Sequence, residues 1–151
     1  MKKEYATTAL SLSLVAIVSG FTFLSIRKSA ANPSPIPNLV GTWKVDTVGA
    51  TILHSDQYSP KSHHTKQFST LQAEAIIQRQ EGRRFIGIFK SPRYTEKIAG
   101  VISPDGKEFF YVDEDGFLDG KIINPNKMEV VYRHISKSES VVASGTYTRL
   151  N

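Results

Sequence analysis

From Leu39 to Asn151 apolar and polar side chains alternate in short runs, with Gly, Pro, Asn and Asp collected between them. Period-two alternation over roughly four to eight residues marks a strand with one buried face, and closely spaced turn residues join such strands into hairpins. The pattern predicts strands over Leu39–Asp46, Ala50–His54, Phe68–Gln80, Arg84–Lys90, Tyr94–Ile102, Glu108–Asp113, Phe117–Ile123, Met128–Ile135 and Val141–Leu150. The predicted turns are TVGA at 47–50, Glu81-Gly82, SPDG at 103–106, DEDG at 113–116, NPNK at 124–127 and KSES at 137–140. Glycine in several of these tolerates the positive φ of a tight hairpin.

Leu39, Gly41, Trp43 and Val45 share one face of the first run, and Phe85, Gly87 and Phe89 share one face of the fourth. In Tyr94–Ile102 the charged Glu96 falls in the same series as Ile98 and Ile102, so alternation assigns no inward face there. LQAEAIIQ at 71–78 has helical composition but hairpin flanks, and it reads as a strand. Eight or nine short antiparallel strands with tight turns favour closure as an up-and-down barrel over a sandwich, which needs long crossovers. The expected fold is therefore all-β: a single antiparallel up-and-down β-barrel of about eight strands, its first and last strands paired.

A hydrophobic N-terminal segment precedes it. Lys2 and Lys3 open an uncharged, largely apolar run from Ala6 to Ile26, and Arg27-Lys28 follow. A charged start before an apolar stretch is an export signature. Cleavage at VSG (Val18, Gly20) or SAA (Ser29, Ala31) would make residues 1–31 a signal peptide; left uncleaved, the run is long enough to span a bilayer and anchor the chain in the inner membrane. Either way the domain is expected outside the cytoplasm, periplasmic, secreted or anchored. NPSPIPN at 32–38 is a Pro-rich linker, and the barrel domain is expected over 39–151.

Composition removes several functions. There is no cysteine, hence no disulfide scaffold, Cys-ligated zinc or thiol nucleophile. The net charge of +5 suggests nucleic acid, but the leader alone carries +3 of it. The remaining basic residues form no stripe with interleaved aromatics, so nucleic acid is not an expected partner. No cofactor is expected either, since no phosphate-cradling glycine loop, Rossmann pattern or nucleophile elbow is present.

Gly41-Thr42-Trp43 near one end and Arg149 near the other resemble the calycin superfamily, which comprises lipocalins, fatty-acid-binding proteins and avidins. That resemblance implies a barrel closed at one end, with Arg149 packed across the Trp43 indole. The opening LVGTWK is similar to the start of fatty-acid-binding proteins, and the ending YTRL to that of avidins. The chain departs from each group: TVGA leaves no room for two helices after the first strand, a single Trp cannot line a biotin site, and no helix flanks the barrel. GRRF, PDGK and DEDG also resemble hairpins of small exported bacterial proteins, a likeness that implies no activity.

Four groups of residues carry candidate chemistry. His54, Asp56, His63 and His64 lie in the longest turn-like segment, where imidazoles and a carboxylate suit Zn²⁺ or Cu²⁺; a solvated polar loop is the plainer account, and adjacent His63 and His64 point to opposite sides of an extended chain. Asp113, Glu114, Asp115 and Asp119 look like part of a calcium loop but lack the later ligands, so a tight turn accounts for them. Glu74, Glu96, Glu108, Tyr111 and His134 are candidate acid–base groups if they share an interior. Phe85, Phe89, Tyr111 and Tyr132, with other aromatics, either fill the barrel or line a modest apolar pocket. The leading expectation is a non-catalytic barrel binding a small, largely apolar ligand. The alternatives are a filled barrel that binds a partner in the cell envelope and a cofactor-free barrel enzyme of cyclase or isomerase type.

Overall fold

Each strand of the barrel pairs with the one before it. The computed structural model describes residues 35–150. The apolar run at 6–26, with the leader expected there, lies outside the described residues. The strands are β1 (Gly41–Leu53), β2 (Phe68–Glu81), β3 (Arg84–Lys90), β4 (Thr95–Ile102), β5 (Glu108–Val112), β6 (Gly116–Asn124), β7 (Lys127–Ile135) and β8 (Glu139–Arg149). All neighbours are antiparallel, and β1 also pairs with β8, closing the barrel in sequence order. Closure leaves no free sheet edge. The predicted architecture holds, including LQAEAIIQ as the middle of β2.

One predicted turn is absent. TVGA lies inside β1, where Thr47, Val48, Gly49 and Ala50 pair with β2 on one side and with β8 on the other. The two predicted strands Leu39–Asp46 and Ala50–His54 are therefore one. The cause is tertiary: a backbone with ladder partners on both sides stays extended whatever its local turn composition.

Alternation sorts the side chains. Trp43 and Val45 on β1, Ala73, Ala75 and Ile77 on β2, Phe85 and Phe89 on β3, Ile98 and Ile102 on β4 and Leu118 on β6 all point into one core. β4 is resolved: Glu96, Ile98 and Ile102 are buried, and Thr95, Lys97, Ala99 and Val101 are exposed. Large rings are accommodated by glycines opposite them. Phe85 pairs with Gly100 and Phe109 with Gly120, and a Cβ on either glycine would sit 2.2 or 2.1 Å from the facing ring. The aromatics thus cross the barrel and fill its lower half.

Turns and loops alternate between two ends. The β2–β3, β4–β5 and β6–β7 turns lie at the end where β1 begins. The 54–67 loop and the β3–β4, β5–β6 and β7–β8 turns lie at the other, called here the mouth.

Candidate functional site at the barrel mouth

The end opposite the mouth is a floor. Trp43 is fully buried and opposes Arg149 in register. The Arg149 guanidinium stands 4.2 Å from the indole centroid and donates to the carbonyls of Val40 (2.7 Å), Asn38 (2.7 Å) and Pro125 (2.9 Å). Trp43 Nε1 donates to the Leu39 carbonyl at 2.9 Å. Gly41 is required beneath this fork: its φ is 136°, and a Cβ there would lie 2.9 Å from Arg149 Nη1. A planar cation with five donors suits this position, stacking on the ring and bonding three carbonyls together.

At the mouth the 54–67 loop folds over the opening. His63 is its latch: Nε2 lies 2.8 Å from Glu96 Oε1 and Nδ1 2.8 Å from Ser91 Oγ. A carboxylate accepts, so Nε2 donates to Glu96, and the single Ser91 hydroxyl proton is shared between Nδ1 and the Tyr94 carbonyl 3.2 Å away. The ring packs edge-on against Phe89, centroids 5.1 Å apart. His64 is buried, bonds Ser69 Oγ at 2.8 Å through Nδ1, and its carbonyl accepts from Arg93 at 2.6 Å. Burial, reinforced by His63, His134 and Arg93, lowers the His64 pKa from 6.5 to about 4, so the ring is neutral.

Serine, histidine and glutamate thus follow one another as in a hydrolase triad. The geometry argues against nucleophilic use. Ser91 Oγ is buried and also accepts the backbone N–H groups of Arg93 and Tyr94 at 3.1 Å each, fixing the β3–β4 turn. A hydroxyl so occupied latches a loop and presents no lone pair to a substrate.

Beside the latch is an acidic cluster. Glu96 on β4 and Asp113 and Asp115 in the β5–β6 turn have carboxylate oxygens all within 4.8 Å of one another. Asp113 Oδ1 accepts the amides of Gly116 (2.6 Å) and Asp115 (3.2 Å), so the predicted tight turn also aims the carboxylates. Burial raises the Glu96 pKa, and Asp113 and Asp115 push the same way while the His63 bond opposes them. His134 on β7 continues the line. Its Nδ1 is 3.8 Å from Asp115 Oδ1 and its Nε2 3.7 Å from Oε1 of Glu139, both beyond hydrogen-bond length. Glu139 is wholly buried, and neither of its carboxylate oxygens has a hydrogen-bond partner.

Below the loop the interior holds a void of about 30 Å³, lined by His63, His64, Phe89, Glu96, Tyr111 and Tyr132 among others. That volume holds about one water. Tyr111 and Tyr147 meet across it, Oη to Oη 2.8 Å, and burial raises both their pKa values.

The candidate residues separate accordingly. Phe89, Tyr111 and Tyr132 line the void, whereas Phe85 packs on Phe109, ring centroids 6.3 Å apart, away from it. Of the acid–base candidates, Glu96, His134 and Tyr111 point inward and Glu108 is exposed; Glu74 is half-buried outside the core. The three loop histidines do not converge. His54 is exposed and bonds Ser140 at 2.8 Å, while His63 bonds Ser91 in the β3–β4 turn and Glu96 on β4, and His64 bonds Ser69 on β2. Sequence reasoning missed Ser91 and Glu139; the latter stands in KSES, where nothing separates a buried carboxylate from a solvated turn.

No family model matches the sequence, and none of the curated proteins matches it. Among solved structures the chain is similar to a redesigned β-barrel, with 11% sequence identity and a TM-score of 0.47 over 75% of this chain and 92% of that one.

Proposed function

We propose that the chain is a non-catalytic binding barrel whose site is its acidic, loop-covered mouth, where it recognises a small cationic ligand. The observation that carries this is the convergence of Glu96, Asp113 and Asp115 at the rim, with oxygens within 4.8 Å. The interior supports it from the other side, since a void of about 30 Å³ holds a water and no organic ligand. The one hydrogen-bonded serine–histidine–glutamate chain is spent on closing the loop. The Trp43–Arg149 floor supports a calycin-like relationship. The charged start and apolar run at 6–26 support export, which puts the mouth outside the cytoplasm.

A second reading is carriage of a small apolar ligand with the loop lifted. Phe89, Tyr111, Leu118 and Val130 beneath the loop favour it, because removal of His63 and His64 would extend the void along apolar walls. Native mass spectrometry of the full chain purified from its own host separates the two. A cationic adduct that leaves on acidification is expected. A stoichiometric apolar adduct would replace the first reading with the second. A bare chain that also takes up no small cation on titration would sink the mouth reading.

A further inference from the structure

The three clustered carboxylates lack the usual compensation. Among the described residues, the ion-pair partners of Glu96 and Asp115 are imidazoles alone, and Asp113 has none. Three anions this close repel unless one is protonated or a cation joins them. An acidic cluster is common on protein surfaces, so what stands behind this one decides.

His134 stands behind it. Its side chain is 7% exposed, its Nε2 has no hydrogen-bond partner, and its Nδ1 faces Asp115 Oδ1 at 3.8 Å. That separation is too long for a hydrogen bond, but close to the spacing of two ligands that each lie about 2.1 Å from a shared ion. On the far side of the same ring is Glu139, 0% exposed, its two oxygens unpartnered and Oε1 3.7 Å from Nε2. A buried carboxylate with no donor is costly by itself. Behind a metal-bound imidazole it is the usual arrangement, because the ring donates its second N–H to such a carboxylate and is oriented by it.

Resting on the reading of the mouth as a cation site, we infer that Glu96, Asp113 and Asp115, whose oxygens lie within 4.8 Å of one another, bind one divalent transition cation; His134, which meets Asp115 alone at 3.8 Å, completes the shell through Nδ1 when its ring shifts toward the ion, with Glu139 behind it. Three carboxylates with one imidazole suit Mn²⁺ or Zn²⁺ better than Ca²⁺, which prefers an all-oxygen shell.

The test is titration of the full-length chain with Mn²⁺, following loss of the free-ion electron paramagnetic resonance signal. One ion per chain is expected, displaced by Zn²⁺ and not by an equal concentration of Ca²⁺. Asp115→Asn and Glu139→Gln should each weaken binding by about tenfold or more. His54→Ala should leave it unchanged, because that ring is exposed and bonds Ser140. Metal-free melting of each variant reports folding. Glu139→Gln should lower affinity without lowering the melting temperature, whereas a merely structural role would lower both. Broadening of the His134 ring resonances by Mn²⁺ in the unmutated chain places the ion independently of any variant. The inference falls if neither Mn²⁺ nor Zn²⁺ binds more tightly than about 1 mM, if Asp115→Asn binds as the parent does, or if broadening falls on His54. Retention of an organic cation by a chain that refuses both metals would overturn this inference and leave the mouth reading standing.

Discussion

The floor and the mouth of this barrel use polar groups in opposite ways. At the floor the polar groups around Trp43 are engaged: Arg149 bonds three carbonyls, Trp43 a fourth, and Gln80 ties Leu39, Pro37 and Gly82 together. At the mouth Thr51 Oγ1, His134 Nε2 and both Glu139 oxygens are buried without partners, next to three crowded carboxylates. Satisfied polar groups hold a structure together, whereas buried unsatisfied ones cost free energy and persist where something else requires them. The comparison gives the floor a structural part and is what the proposed recognition role of the mouth rests on.

The largest expected effect is at the floor. Trp43 is 0% exposed in a filled core, so Trp43→Ala should lose about 3 to 5 kcal/mol, the range for truncating a buried aromatic. Urea unfolding measures it, and a variant that unfolds with the parent would remove the floor from its structural role.

The floor was legible in the sequence and the mouth was not, for a geometric reason. Gly41, Trp43 and Arg149 lie near the two ends of an alternating domain, and barrel closure alone brings such ends together. The mouth gathers positions 63, 96, 113, 115, 134 and 139 from one loop, one turn and three strands, which no local spacing announces. Glu96 did leave a trace, as the charge that spoiled the apolar series of β4. In the structure that irregularity marks the proposed site, since Glu96 is buried like its neighbours Ile98 and Ile102. TVGA misled in the opposite sense, because local composition cannot register a strand paired on both sides. The adjacent His63 and His64, expected to diverge, bond separate strands.

Acidification should expose the mouth first. His64 is held neutral with a pKa near 4 against 6.5 in the unfolded chain. Between those values the unfolded chain binds more protons, so stability falls as pH drops from about 6.5 to 4, by on the order of 2 kcal/mol. Glu96 works in the opposite direction, since a carboxyl whose folded pKa is raised gains stability on protonation and loses it as pH rises through that value. The difference between parent and His64→Gln isolates the histidine. If melting temperatures of the two fall in parallel from pH 7 to 4, His64 is not the group responsible. A smaller loss, about 1 to 2 kcal/mol, is expected for Arg149→Lys, since an ammonium keeps the charge but cannot reach three carbonyls while stacking on Trp43. Equal stability of the two proteins would reduce the floor to simple apolar packing.

The smallest effect has the reversed sign, which makes it the sharpest test of the contrast between the ends. Glu139 is fully buried, accepts no hydrogen bond at its carboxylate, and its nearest ionic partner is an imidazole 3.7 Å away. Replacing one of two buried oxygens that accept no hydrogen bond removes part of the desolvation cost they carry. Metal-free Glu139→Gln should therefore be more stable than the parent, by about 1 kcal/mol, whereas every floor substitution destabilises. Denaturant unfolding in the presence of a chelator measures it. A loss of similar size would mean that the Glu139 carboxylate anchors the mouth as Arg149 anchors the floor, and the division between a structural end and a recognition end would collapse. A gain in stability accompanied by weaker Mn²⁺ binding would tie both properties to the same two oxygens, the trade-off between stability and function expected of a group retained for its ligand.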